Sequence, residues 1–178
     1  MAYAIRELTK NLYVAAISNG DVSLDTASHR VIFDKKADAE DVIFFCNAAI
    51  NDSFTLAEEQ EVTVCVSVKG TATYYLSENI IDRESALDEA EFAFSCIDFC
   101  DMDVIDWDVD VSAGLEKAMF DVTGEVLITG LTPDINDIGS IIYAAEYRAS
   151  KMDFGLLENV RLLVSNIEDA NGNRVYEA

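Results

Sequence analysis

Acidic side chains crowd the segment from Glu84 to Glu116, which contains no lysine, arginine or histidine. Phenylalanine, isoleucine, valine and tryptophan stand between these acids, so we expect the segment to fold rather than to form a solvated tail. A folded surface that fixes carboxylates in an array presents a negative field to a basic partner. The candidate partner-binding residues are Glu84, Asp88, Glu91, Asp98, Asp101, Asp103, Asp106, Asp108 and Asp110.

The sequence lacks the usual residue patterns of enzymes. A nucleophile needs a base beside it, and the sole histidine, His29, follows Ser28 in a strand-like segment. The chain has no phosphate-binding loop, dinucleotide fingerprint or G-x-S-x-G motif. Two carboxylates can hydrolyse a glycosidic bond, but nothing in the sequence selects a pair. We therefore predict that the protein is not an enzyme and needs no cofactor.

Calcium binding is a distant alternative for the acidic segment. The motif Asp106-x-Asp108-x-Asp110 matches the opening of an EF-hand loop. The match then fails, because Val111 stands where the loop needs glycine and Lys117 stands where the bidentate glutamate belongs. Alternation of these aspartates with apolar residues favours a strand. We predict no metal site.

The four cysteines, Cys46, Cys65, Cys96 and Cys100, form no CxxC motif and no secreted-type framework. Cys96 and Cys100 are spaced to supply two zinc ligands, but the chain offers no matching second pair. We expect small, buried, free thiols in a reducing compartment. This predicts a cytoplasmic protein, in the host cytoplasm if a virus encodes it.

The chain has 178 residues, with 34 acidic and 12 basic residues, a net charge of −22 and 51% hydrophobic residues. This length fits one domain, residues 1–178, with a sizeable core. The charge repels nucleic acid and anionic lipid, and no apolar run approaches the roughly 20 residues that span a bilayer. We expect a basic partner, such as a nucleic-acid-binding enzyme, or further copies of the chain, with no direct nucleic-acid binding and no membrane. Adaptation to high salt is another explanation of the charge.

Turn signals and alternating patterns predict the elements of the first half. Asn19-Gly20 favours a type I′ turn, and Lys69-Gly70 is interpreted as a second hairpin turn. Residues 1–10 are interpreted as an arm or a first helical turn. The predicted elements are strands at Asn11–Ser18 and Asp21–Leu24, a strand at His29–Asp34, a helix at Ala37–Ile50, and strands at Glu61–Val68 and Thr71–Leu76.

In the second half, a long helix is predicted to begin at Asp82 or Ser85, with Phe92 and Phe99 flanking it. From Asp101 the period changes to two, which predicts a strand with one carboxylate face and one core face. The apolar stripe of the helix comprises Ala86, Ala90, Ala93, Phe94, Ile97 and Cys100. Later predicted elements are a strand at Met119–Thr129 bulged at Gly124, a helix from Thr132-Pro133-Asp134, and a hairpin of Asn159–Ile167 and Arg174–Glu177.

These elements predict an α+β fold: a single domain whose mostly antiparallel sheet, with several hairpins, packs against two or three helices. The favoured function is a nucleic-acid mimic that presents carboxylates to a basic DNA- or RNA-binding enzyme, as viral inhibitors of restriction or CRISPR machinery do. The alternative is a self-assembling virion subunit, such as a tail tube, ring or decoration protein, with an acidic lumen or surface. Crowded carboxylates repel one another. Under either hypothesis we therefore expect mild acid or added salt to stabilise the fold.

Overall fold

The computed structural model describes residues 2–7, 12–18, 21–26, 29–49 and 54–178. Within these residues the chain forms nine β-strands and three α-helices, and the strands build two antiparallel sheets. The predicted α+β class is confirmed. The chain divides into two compact units, and the assignment of residues 1–178 to one domain stays a prediction.

The first unit comprises Met1–Val62, Gly130–Ile141 and Asp169–Asn173. Helix α1 (Lys36–Ala49) contributes Ala39 to a buried core with Ile5, Val14 and Phe54. The four strands of this unit are β1 (Ala2–Glu7), β2 (Leu12–Ser18), β3 (Asp21–Asp25) and β4 (Phe54–Glu59). They lie in the order β3-β2-β1-β4.

The first predicted hairpin is confirmed. Ser18 pairs with Asp21 in the antiparallel register of β2 and β3, so two residues join the strands, as an Asn-Gly turn requires. Asn19-Gly20 itself lies outside the described residues. The predicted helix Ala37–Ile50 is also confirmed as α1, although Ile50 lies outside the described residues.

Two predictions in the first unit are wrong. The N-terminus is not an arm or a helical turn, because β1 lies between β2 and β4 in the sheet. His29–Asp34 is not a strand, because within it only Phe33 forms a β-bridge, to Tyr3. The amide of Val31 donates instead to the carbonyl of Val14 in β2, so the segment bonds to β2 and then to β1 rather than pairing along one strand.

The second unit comprises Thr63–Thr129, Ile142–Glu168 and Arg174–Ala178. It contains helix α2 (Arg83–Ser95) and most of the five-stranded sheet. The strands are β5 (Val62–Tyr75), β6 (Asp103–Val111), β7 (Lys117–Leu131), β8 (Glu158–Asp169) and β9 (Arg174–Glu177). Their order is β6-β7-β5-β8-β9, so β6 is an edge strand.

The predicted hairpin at Lys69-Gly70 is wrong, because β5 continues through both residues to Tyr75. Gly70 serves a close approach instead. A Cβ atom there would lie 2.6 Å from the Leu157 side chain and 2.9 Å from the Glu158 carbonyl oxygen. The alternating valines of the predicted strand Glu61–Val68, namely Val62, Val64, Val66 and Val68, are all buried.

Stacked aromatic rings join α2 to one face of the sheet. The Phe94 ring lies 4.1 Å from the Trp107 ring of β6 and 5.1 Å from the Phe120 ring of β7. We call the sheet face with Trp107 and Phe120 the inner face. The outer face carries Asp106 and Asp108, because successive side chains of a strand point to opposite faces.

The predicted apolar stripe of α2 is only partly correct. Ala86, Ala90 and Ala93 are buried, but the helix ends at Ser95. Cys100 lies beyond it, exposed and with a positive φ of 54°. Phe99, expected only to flank the helix, is 6% exposed, and its ring packs 5.4 Å from that of Phe94.

The third helix begins later than predicted. Helix α3 (Ile138–Ala149) starts four residues beyond Asp134, which forms a β-bridge with Glu59. The backbone before it bonds to the end of β4, since the amide of Ile135 donates to the Glu58 carbonyl. Asp137 then caps α3 by accepting the amide of Ser140 at 3.2 Å.

The C-terminal hairpin is confirmed, with β8 and β9 antiparallel. The bulge predicted at Gly124 belongs to the other strand. Val104 pairs with Gly124 and Asp106 with Thr123, so Ile105 of β6 is the extra residue. Among the described residues, no helix is both long and apolar enough to cross a membrane.

Candidate functional site

Three of the predicted carboxylates form one row on α2. Glu84, Asp88 and Glu91 follow helical spacing and are exposed, on the side opposite the buried alanines of the helix. Their side chains form no hydrogen bond or ion pair within the described chain. We call these three residues the helix row.

Asp82 fixes where this row begins. Its carboxylate accepts the backbone amide of Ser85 at 2.8 Å, as an N-cap does. This hydrogen bond lowers the pKa of Asp82. The predicted start of the helix is therefore confirmed, and the N-cap sets the angular position of Glu84 in the first turn of α2.

Three further carboxylates form a row on the outer face of β6. Asp106, Asp108 and Asp110 are exposed, whereas Trp107 and Val109 are half-buried, which confirms the predicted two-faced strand. We call Asp106, Asp108 and Asp110 the strand row.

Two carboxylates of the strand row bind their own backbone. Asp106 accepts the amide of Trp107 at 3.0 Å, and Asp108 accepts the amide of Val109 at 2.8 Å. An amide that bonds a side chain of its own strand at this distance is not available for ladder pairing. These aspartates therefore occupy donors at the free edge of β6.

The cross-strand neighbours enlarge the strand row. Asp108 lies opposite Asp121 of β7, and Asp103 lies opposite Glu125. Residues directly opposite in a ladder share a face, so Asp121 adds a carboxylate that the sequence analysis missed. The exposed alternation along β7 is a sequence signal for it, but only the pairing register places Asp121 beside Asp108.

Asp98 and Asp101 have local structural partners. Asp98 accepts the amide of Cys100 at 2.8 Å, and Asp101 accepts the amide of Asp153 at 3.0 Å. Both side chains are exposed, and both hold the turn between α2 and β6. Asp103 opens β6 and is likewise exposed.

The nine predicted carboxylates do not share one face. Helix α2 packs against the inner face of the sheet, and the helix row lies on the side of α2 that faces away from the sheet. The strand row lies on the outer face of the sheet. The two rows meet around edge strand β6, where the Arg83 guanidinium of α2 donates to Asp110 at 3.2 Å. We call the two rows together the acidic edge.

Basic side chains are distributed unequally over the described chain. In the first unit, Arg6 pairs with Asp137 at 2.6 Å, Lys36 pairs with Glu58 at 3.3 Å and Arg30 forms a two-pronged pair with Glu59. Among the described residues, Asp110 is the only one of the nine predicted carboxylates that forms an ion pair, with Arg83. The acidic edge is therefore almost without internal counterions.

Sequence reasoning missed a buried charge network in the first unit. Glu59 and Asp134 are 6% exposed and contact Arg30 and Arg6 respectively. Burial raises the pKa of nearby Tyr13, against the opposing effect of Arg6. A cavity of about 510 Å³ opens beside Arg30 and Glu59. Because each of these acids already contacts an arginine, the network is best explained as ion pairs that tie the segments at Arg30 and Asp134 to strands β4 and β1.

The thiols depart from the prediction of buried cysteines. Cys96 and Cys100 are exposed and Cys65 is half-buried, all three free, while the side chain of Cys46 lies outside the described residues. Burial raises the pKa of Cys65, which also lies near Glu125. In the part of the chain that the structure describes, no three His, Cys, Asp or Glu side chains converge to hold a metal ion.

Comparison with known proteins finds no family model, no curated protein and no solved structure that matches this chain. Its function is therefore inferred from the charge and geometry of the acidic edge.

Proposed function

We propose that the protein is a non-enzymatic interaction protein whose acidic edge mimics nucleic acid and inhibits a basic DNA- or RNA-binding enzyme. The observation that carries this proposal is the set of nine exposed carboxylates accompanied by one ion-paired base, Arg83. A partner that supplies the missing cations gains attraction at every one of these sites. Such an enzyme, of the restriction or CRISPR type, would place the protein in the cytoplasm.

The geometry of the two rows suits a cleft rather than a flat surface. Alternate residues of a strand lie about 6.8 Å apart, so the strand row has roughly half the linear charge density of one DNA strand. The helix row adds charge on the other side of β6. A groove that grips a duplex has basic side chains on both walls, and an inserted edge with acids on both sides would meet both.

Phe92 supports binding over simple solubilisation. Its side chain is 73% exposed on α2 and lies beside Asp88 on the helix surface. An exposed aromatic ring next to carboxylates attracts an arginine or lysine side chain through both the ring face and the charge. Solubility alone does not require an exposed phenylalanine.

The bonded amides of β6 indicate how the partner binds. Since Trp107 and Val109 donate to the preceding aspartates, the edge offers few free donors for an added strand. We therefore propose recognition through side-chain charge rather than through β-strand addition.

Inhibition of DNA cleavage tests the proposal. A panel of restriction endonucleases and CRISPR nucleases would be assayed with the wild-type protein and with Asp106→Asn/Asp108→Asn/Asp110→Asn, which removes three charges with little change in shape. We expect inhibition of at least one nuclease and its loss in the triple variant. The matched control is Glu40→Gln/Asp41→Asn, which neutralises exposed acids of α1. Equal inhibition by wild type and triple variant, with retained fold, would contradict the proposal.

A further inference from the structure

Two exposed cations on the outer face of the five-stranded sheet, Lys69 of β5 and Arg161 of β8, form no ion pair with any residue that the structure describes. Asn159 of β8 donates to the Thr71 hydroxyl of β5 at 3.1 Å, and Ser165 donates to the Cys65 carbonyl at 3.1 Å. Both contacts indicate the same antiparallel alignment of β5 with β8. From this alignment we infer that Arg161 lies opposite Lys69.

The position of this pair is unexpected on electrostatic grounds. Like charges directly opposite one another across a ladder are destabilising, and both side chains are exposed. Neither forms an ion pair within the described chain, although the protein has 34 acidic and 12 basic residues. Asp121 and Glu125 of the neighbouring strand β7 share the outer face, but neither forms an ion pair with these two cations within the described chain. The two cations are therefore available to an anionic partner.

An exposed apolar side chain adjoins the two cations. Leu163 is 59% exposed and lies two residues beyond Arg161 on the same face of β8. We call Lys69, Arg161 and Leu163 the basic patch. Its composition, two cations and one apolar side chain, is the complement of two carboxylates and one apolar side chain.

The helix row has that complementary composition. Asp88 and Glu91 lie one turn apart, with Cβ atoms about 5–6 Å apart, and a directly opposed cross-strand pair such as Lys69 and Arg161 has Cβ atoms about 5 Å apart. Phe92 stands beside the two carboxylates, as Leu163 stands beside the two cations. The strand row fits less well, because its aspartates already accept hydrogen bonds.

We propose that the helix row and Phe92 of one molecule dock on the basic patch of a second copy. The helix row points away from the inner face of the sheet and the basic patch lies on the outer face, so the two surfaces are on opposite sides of this unit. The contact is therefore heterologous, and repeated contacts build a stack or, if the rotation closes, a ring. This inference does not depend on the proposed function.

Self-association would compete with binding of the basic enzyme, because both use the helix row. A more basic partner displaces the neighbouring copy and frees the acidic edge. The basic patch itself takes no part in nuclease inhibition. Loss of the patch therefore leaves inhibition unchanged or lowers the concentration required for it.

Two charge-reversal variants test the contact by sedimentation velocity over a concentration series. Lys69→Glu/Arg161→Glu removes the patch, and Asp88→Lys/Glu91→Lys removes the row while keeping Glu84 at the helix N-terminus. We expect the wild type to associate at about 150 mM NaCl, where salt screens much of the mutual repulsion between two copies of net charge −22. Each variant alone is expected to associate at least about tenfold more weakly.

A mixture of the two variants gives the sharpest result. The first variant keeps its helix row and the second keeps its patch, so the mixture forms a capped one-to-one dimer and nothing larger. Lys69→Gln/Arg161→Gln, at exposed positions, gives the same test if charge reversal unfolds the chain. A wild type that stays monomeric at about 150 mM NaCl, or variants that associate as the wild type does, would overturn the inference. Unchanged nuclease inhibition in that case would leave the proposed function standing.

Discussion

At the scale of single residues, Asp106 and Asp108 combine negative charge with a hydrogen bond to the amide of the next residue. The charge faces solvent, while the hydrogen bond closes the edge of β6. An open edge strand is a template for pairing with another chain. The two properties are separable by substitution, because asparagine keeps the acceptor oxygen and loses the charge.

We predict that Asp106→Ala/Asp108→Ala aggregates faster than Asp106→Asn/Asp108→Asn. The alanine variant exposes two amide donors on an edge strand, whereas the asparagine variant keeps them bonded. Light scattering during incubation at 37 °C would measure the difference, with the wild type as reference. Equal aggregation of the two variants would show that charge alone, and not the bonded amides, protects the edge.

We predict that protonation of Asp137 at low pH lowers the stability of the first unit. Burial would raise its pKa, but hydrogen bonds from Ser140 and the charge and hydrogen bond of Arg6 outweigh burial and lower it. The resulting stabilisation is fully present above the unfolded-state pKa of about 3.9 and is lost as the pH falls through the lower folded-state pKa.

We expect Asp137→Ala to lower the free energy of unfolding by about 2 kcal/mol at pH 7, because a charged acceptor and a helix cap are both lost. Urea unfolding at several pH values would measure this. The difference between wild type and variant should shrink as the pH approaches 2. A difference that stays constant over this range would contradict the lowered pKa.

At the scale of elements, the sequence predicts an element well where local signals decide it. The Asn-Gly turn between β2 and β3 and the alternation in β6 are such signals. The hairpin predicted at Lys69-Gly70 was wrong because Gly70 leaves room for the side chain of Leu157, which is 87 residues away in the chain. The predicted start of α3 was wrong because the amide of Ile135 donates to the carbonyl of Glu58 in β4. No local sequence pattern reveals this contact.

Gly155 gives a test of one such long-range contact. It has a positive φ of 59°, and a Cβ atom there would collide with the backbone carbonyl of Asp98. Gly130 also has a positive φ, of 68°, but a Cβ atom there meets nothing within 4 Å. The two glycines share the backbone strain and differ in the collision.

We predict that Gly155→Ala destabilises the protein more than Gly130→Ala. The left-handed conformation costs each alanine about 1–2 kcal/mol, and the collision adds about 1–3 kcal/mol at position 155. Thermal and urea unfolding would measure both. Equal losses in the two variants would mean that the turn after α3 does not press against Asp98.

At the scale of the whole molecule, the charge is uneven rather than merely high. Arginine and lysine neutralise carboxylates in the first unit, while the acidic edge has Arg83 alone. Sequence reasoning found the nine acidic residues because exposure follows from residue type and period. It also predicted the carboxylate face of β6. It did not find that the helix row and the strand row lie on opposite sides of β6, nor the basic patch, because both depend on how strands and helix are paired in space.

We predict that added salt stabilises the fold. A net charge of −22 repels itself, and NaCl raised from about 50 mM to about 500 mM screens exposed charges beyond a few ångströms. The melting temperature should rise by on the order of 5 °C. The triple variant Asp106→Asn/Asp108→Asn/Asp110→Asn should show a smaller rise. A melting temperature that falls with added salt would contradict the claim that unpaired carboxylates repel one another in the folded protein.

The most direct test of the acidic edge is a competition experiment on whichever nuclease of the panel the protein inhibits. Displacement of fluorescent duplex DNA would be titrated with wild type, with the triple variant of the strand row, and with Glu84→Gln/Asp88→Gln/Glu91→Gln. A mimic competes for the DNA site, so the apparent inhibition constant should rise in proportion to DNA concentration and weaken in both variants. Inhibition that is independent of DNA concentration, or that survives loss of both rows, would contradict the proposal that the edge replaces nucleic acid.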